Sequence, residues 1–226
     1  MSTTKKILIT LAAIAVYILI EWLVVKNTGF LSSLSTNTRA LGTFKGQLGT
    51  IIALAATLCL ARPLMGYKIV PDWFGSRDWK WYGIACLGAV VIMLSSHLVH
   101  VIYHTDNSWM DKVLRGDSAG LYLMLLTAFV LAPINEEIIF RGVLFHLFSK
   151  IKLGTNAAFH ASIPIVFTAL LFMTVHLQYA LPDRLVILLL GIWLGWIRYK
   201  TNSLSIPMAA HAVAGIVGVV GFFCFP

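Results

Sequence analysis

Leu121-Tyr122-Leu123-Met124-Leu125-Leu126-Thr127-Ala128-Phe129-Val130-Leu131-Ala132-Pro133-Ile134-Asn135-Glu136-Glu137-Ile138-Ile139-Phe140-Arg141 is the stretch on which the reading of this chain turns. An apolar run long enough to enter the roughly 30 Å hydrocarbon core of a bilayer leads into two adjacent glutamates, and the apolar pattern then resumes. An ionised carboxylate at the middle of a membrane helix costs about 2.5–3.5 kcal/mol or more. Such a pair must therefore face a protein interior, hold partners and mark a functional site. The chain contains only one other glutamate, Glu21, so the doublet concentrates a scarce residue type.

Working outward, 59% of the residues are hydrophobic and 12% are charged, a composition that a water-soluble globule of this size could not bury. The expected fold class is all-α, a polytopic transmembrane bundle of seven or eight helices, because alternating strands of the barrel type are absent. The net charge of +8 would point to nucleic acid in a soluble domain. Here the lysines and arginines lie at the ends of apolar segments, where topology and anionic lipid headgroups require them, so no nucleic acid is expected. Cys59, Cys86 and Cys224 fall inside apolar runs without ligand-like spacing and form neither a disulfide framework nor a zinc motif. Lys5 and Lys6 precede an apolar run that is long for a signal sequence and has no small-residue cleavage site, so an uncleaved first span is expected.

Spans are expected at Ile7 to Val25, Leu48 to Met65, Tyr82 to Tyr103, Leu121 to Phe148, Ile163 to Tyr179, Leu185 to Tyr199 and Ile206 to Phe225. Pro133 is placed to kink or break the fourth, with Asn135 available as a local cap. A single membrane-embedded domain over residues 1–226 is the simplest division. Arg62, Lys68, Arg77 and Lys80, then Lys150 and Lys152, then Arg198 and Lys200 mark the cytoplasmic side by the positive-inside rule. The first loop, with Lys26, Arg39 and Lys45, runs against that assignment. The tryptophan-rich stretch from Pro71 to Trp81 reads as interfacial.

Glu137 and Arg141 are four apart and pair on one helix face, while Glu136 is rotated by about 100° from its neighbour. A desolvated carboxylate that is not neutralised by a cation has a raised proton affinity, which suits a general base taking a proton from water. The competing reading is a buried ion-pair network that holds helices together. His176 and His211 are further polar intrusions in apolar spans. Each alone reads as a hydrogen-bonded core histidine, but two carboxylates and two imidazoles on three helices can converge on one water or one metal ion. His97, His100, His104, His146 and His160 lie nearer span ends and are weaker candidates. Gly191 and Gly195, and the series Gly215, Gly218 and Gly221, read as helix-packing stripes. Ser203 and Ser205 have no nucleophile-elbow setting, and the glutamates lack an H-E-x-x-H frame.

Three blocks resemble those of the CPBP family, the CAAX-protease and bacteriocin-processing (Abi) intramembrane endopeptidases. Glu136-Glu137-Ile138-Ile139-Phe140-Arg141-Gly142 is similar to the family's EExxxR block, Phe172-Met173-Thr174-Val175-His176 to its FxxxH block, and His211 to its last histidine block. The matching region covers roughly residues 119–226. The resemblance implies that Glu136 and His176 activate water, that Glu137 with Arg141 forms the supporting shell, to which Phe172 and position 215 also belong, and that His211 is the sole remaining oxyanion donor. One departure stands out, since the family's HxxxN pattern places Asn where this chain has Gly215. A lost oxyanion donor costs about 3–4 kcal/mol in the transition state, so a backbone amide or Asn202 would have to substitute.

The function expected is hydrolysis of a peptide bond in a peptide or membrane-protein substrate, in bacterial peptide maturation or bacteriocin self-immunity, at a multi-pass protein of the bacterial plasma membrane. The rival readings are a catalytically silent immunity protein of the same fold and a proton-coupled transporter, for which paired broken helices are missing. No cofactor is expected, and zinc, if used, would be held by Glu136, His176 and His211.

Overall fold

The computed structural model describes residues 3–65, 78–106, 108–150 and 157–224. Lys68, Arg77, Lys152 and the greater part of the Pro71 to Trp81 stretch lie outside the described residues. Among the described residues there are eight α-helices and no strand: α1 (Thr3–Asn27), α2 (Thr38–Met65), α3 (Trp79–Tyr103), α4 (Ser108–Leu114), α5 (Ser118–Phe148), α6 (Ala157–Thr174), α7 (Leu181–Thr201) and α8 (Ser205–Cys224). Four described stretches, Ala15–Ser33, Trp79–Tyr103, Ser118–Phe148 and Ser205–Cys224, are long and apolar enough to cross a bilayer. The chain is a multi-pass membrane protein.

The helices group into two compact units, one drawn from Met1–Ile69 with Lys112–Thr127 and the other from Val70–Asp111 with Ala128–Pro226. In the first, α2 starts at Thr38, ten residues before the expected Leu48, because Asn37 caps it: the side-chain oxygen of Asn37 accepts the Ala40 amide at 3.0 Å. The same side chain donates to the carbonyls of Lys112 and Val113 at 3.1 and 3.2 Å. Asp117 caps the start of α5 by accepting the Gly120 amide at 2.7 Å, and also takes the Ser35 hydroxyl and the Thr36 amide, each at 2.6 Å. These donors hold its carboxyl well below the usual carboxylate range. Glu21, the remaining glutamate, accepts the Thr50 hydroxyl at 2.9 Å across the α1–α2 pair.

In the second unit, α3, α7 and α8 enclose a core of Ala85, Ala89, Leu190, Leu194, Ile197, Ile206, Ala210 and Ala214. Small residues bring the helices close, as membrane packing requires where lipid is as apolar as the core. A Cβ added at Gly191 would lie 3.1 Å from the Ala169 Cα, which fixes α6 against α7 and accounts for the packing stripe.

The helix that carries the glutamates does not break at Pro133. Instead, α5 runs through it by widening into π-type turns at Thr127–Leu131 and Ile138–Leu144, on either side of the glutamates. Pro133 stands where the first wide turn ends, so its missing N–H falls where the hydrogen-bond register is already shifted. Asn135 is not a terminal cap but a fully buried residue within the helix.

The fifth expected span also changes. Its helix, α6, ends at Thr174 rather than Tyr179, leaving His176 in the connection that follows. The cause is local: the His176 ring nitrogen Nδ1 bonds the Phe172 carbonyl at 2.7 Å, the acceptor that its own amide would use in an α-helix, and that amide turns to Met173 at 3.2 Å. Pro182 then opens α7 in its first turn.

Candidate active site

Glu136 and Glu137 leave α5 at the short α-helical stretch between the two wide turns, and each meets a different environment. Glu137 is fully buried. Its Oε1 accepts Arg141 Nη1 at 2.9 Å and His211 Nδ1 at 2.9 Å. Arg141, equally buried, donates its second arm to the Gly191 carbonyl at 3.0 Å and stacks over Phe172 at 4.7 Å. The expected four-residue pair is thus formed and is tied to α7 and α8.

Glu136 points elsewhere. Its Oε2 faces His176 Nε2 at 3.9 Å and His211 Nε2 at 3.8 Å. Both imidazoles are oriented by their other nitrogen. A carbonyl and a carboxylate only accept, so His176 Nδ1 donates to Phe172 O and His211 Nδ1 donates to Glu137 Oε1, and each bond fixes the orientation of its ring. Each ring then turns its Nε2 towards Glu136. Phe172, only 1% exposed, stands between them, with its ring 4.6 Å from that of His176 and 5.6 Å from that of His211. Three basic atoms around one point, separated by more than hydrogen-bond length, form a setting in which a water can donate to two of them.

The same three side chains are the donors that a zinc ion would take. Among the described residues, no group of three His, Cys, Asp or Glu is arranged to hold a metal ion.

Gly215 meets the backbone, not the reacting centre. A Cβ there would come 2.7 Å from the Ala128 carbonyl oxygen on the first wide turn of α5, so α8 approaches α5 as closely as it does because position 215 has no side chain. Asn202, the expected stand-in donor, stands beyond the C-terminal end of α7, where its side-chain oxygen accepts Arg198 Nη1 at 2.8 Å.

Two residues that the sequence reading did not assign to the site reach its supports. Arg198, read there as a marker of the cytoplasmic side, is 4% exposed and donates Nε to the Arg141 carbonyl at 3.0 Å. In an α-helix the Phe145 amide would serve that carbonyl, but the second wide turn draws it to Phe140 instead, and Arg198 fills the gap. Its charge gave no signal of this, since a buried arginine and an interfacial one look alike in sequence. Tyr179 stacks on the His176 ring at 6.3 Å and 23°, and its amide donates to the His176 carbonyl at 3.2 Å. His146 lies on the last turns of α5, and His160 on α6, without entering the cluster of Glu136, His176 and His211.

A family model described as type II CAAX prenyl endopeptidase Rce1-like matches residues 118–217. An uncharacterized 24.3 kDa protein of Escherichia coli is 31% identical over 152 residues, which cover 67% of this chain and 63% of that protein. No solved structure matches the chain. Glu136, Glu137, Arg141, Phe172, His176 and His211 all lie inside this matched region, so residues 118–217 are similar to the Rce1-like type II CAAX prenyl endopeptidases of the CPBP family.

Proposed function

We propose that this protein is an intramembrane endopeptidase in which Glu136 and His176 activate a water that hydrolyses a peptide bond. The observation that carries the reading is the convergence of His176 Nε2 and His211 Nε2 on Glu136 Oε2, at 3.9 and 3.8 Å, beside a Glu137 that Arg141 already neutralises. Glu136 takes the proton of the water as the hydroxyl adds to the scissile carbonyl carbon. His176, anchored by its Nδ1–H, orients that water through its lone pair. Glu137 and Arg141 hold His211 against the reacting carbonyl and keep the adjoining helices in place. The protonated Glu136 returns its proton to the departing amine as the C–N bond breaks, giving an acid and an amine.

The substrate class is a peptide or membrane-protein segment that enters the bilayer, in bacterial peptide maturation or in self-immunity against bacteriocins. The hydrolysis is metal-free in this reading, with Glu136, His176 and His211 as the ligands of the alternative zinc form. The protein works as one membrane-embedded domain in the bacterial plasma membrane.

Mass spectrometry of membrane-associated peptides tests this, comparing cells that express the wild-type chain with cells that express Glu136→Gln at equal level. New peptide termini that depend on Glu136 are expected. Identical peptide sets would favour the second reading, a catalytically silent immunity protein of the same fold, for which the glycine at 215 in place of Asn is the specific support.

A further inference from the structure

A second donor for the reacting oxygen has to come from somewhere other than α8. Gly215 has no side chain and abuts the Ala128 carbonyl, an acceptor, while Asn202 caps the C-terminal end of α7 with its side-chain oxygen on Arg198. His176 and His211 have their Nδ1–H groups committed to Phe172 and Glu137, which leaves Nε2 alone on each ring towards the reacting centre. Among the described residues, Tyr179 brings a phenol against the cluster through its ring contact with His176. It lies three residues after His176 in the tight connection between α6 and α7, is tied to it by the bond from its amide to the His176 carbonyl, and lays its ring along the imidazole. Trp109 of α4 packs edge-on against the phenol ring at 5.6 Å. The hydroxyl rests 3.7 Å from the sulfur of Met110, a weak acceptor that a carbonyl oxygen would displace at little cost. A tyrosine phenol is a neutral O–H donor at neutral pH.

We propose that the Tyr179 hydroxyl is a catalytic hydrogen-bond donor to the substrate carbonyl oxygen, supplying the oxyanion contact that Gly215 cannot. This rests on the hydrolytic reading above. As hydroxide from the Glu136-activated water adds to the carbonyl carbon, the C=O electron pair moves to oxygen, and the Tyr179 O–H leaves Met110 to bond that oxygen. The phenol keeps its proton throughout, and the proton on Glu136 goes to the leaving amine. Such a contact strengthens as negative charge develops, so its loss should lower turnover more than substrate binding.

The test compares wild type, Tyr179→Phe, Tyr179→Leu and Glu136→Gln in the full-length detergent-solubilised protein. An internally quenched, farnesylated CAAX peptide serves as the probe, and melting temperature is recorded alongside. Tyr179→Phe keeps the ring and should melt like wild type, yet lose on the order of 100-fold in kcat with KM within about twofold. A phosphinic analogue of the same peptide should lose affinity by a similar factor while the peptide itself does not. If Tyr179→Phe turns over within about threefold of wild type while Tyr179→Leu is slow, the residue acts through its ring on His176 and the donor role is wrong. If the wild-type protein cleaves no faster than Glu136→Gln, the hydrolytic reading itself fails and this inference falls with it. Cleavage that needs Glu136 but not the Tyr179 hydroxyl overturns this inference alone.

Discussion

Two adjacent glutamates have opposite partners because one peptide unit of a helix turns them about 100° apart. Glu137 meets a guanidinium and an imidazole Nδ1–H, whereas Glu136 meets two imidazole Nε2 atoms. Glu136→Ala and His176→Ala are therefore expected to abolish peptide cleavage with membrane insertion and protein level nearly intact; cleavage at the wild-type rate by both would remove the proposed base. Arg141→Ala has a different effect, since it leaves a fully buried Glu137 without its counter-ion. It should cost about 3–5 kcal/mol and lower the melting temperature of the solubilised protein along with its activity. An unchanged melting temperature would mean that the pair contributes nothing to the fold. At position 215, an asparagine would have to displace the Ala128 carbonyl, so Gly215→Asn should reduce stability and activity together, and a faster enzyme with unchanged melting would contradict the packing role. The carboxylates, the arginine and the two histidines were legible in the sequence because polar residues are expensive in apolar spans and stand out there. Arg198 and Tyr179 were not, because one sits near a span end like any topology marker and the other is amphipathic like any interfacial tyrosine.

At the scale of elements, apolar runs gave the spans, while their limits were set by polar residues whose partners are distant in sequence. Asn37 and Asp117 are capping residues by type, but the bonds from Asn37 to the carbonyls of Lys112 and Val113, and from Ser35 and Thr36 to Asp117, exist only once the first unit is folded. Helix α4, seven residues long, carries too short a pattern to be read as a helix by periodicity. The end of α6 is set by a side chain competing for a main-chain carbonyl, which periodicity does not register. The wide turns of α5 are similarly invisible, although Pro133 pointed to the right place for an irregularity. Asp117 supplies the pH prediction here. Its folded-state value is depressed, so the stability it contributes is present above the ordinary carboxyl value of about 3.9 and is lost as the pH falls through the lower folded value. Asp117→Asn should lower the melting temperature at neutral pH, and the gap between variant and wild type should close as the pH is taken below about 4. A gap that stays constant with pH would show that the contribution is not the carboxylate's charge.

For the molecule as a whole, composition alone excluded a soluble protein, and the class of helical membrane protein was legible before any motif was considered. The scarcity of acids then narrowed the candidates, because nine Asp and Glu in the whole chain leave few residues for a proton-transfer role. Metal dependence is the question on which the two versions of the reaction part. Purified protein should keep its activity after strong chelation and contain no stoichiometric zinc by elemental analysis; loss on chelation with rescue by zinc would move Glu136, His176 and His211 from base, orienting group and electrophile to ligands. The central claim is that Glu136 draws the proton from the attacking water. The most direct measurement is the initial rate at which purified, equally folded wild-type and Glu136→Gln proteins hydrolyse one internally quenched peptide. The account predicts a fall of at least about 100-fold for the glutamine variant with its melting temperature unchanged, and hydrolysis at the wild-type rate by Glu136→Gln would contradict it.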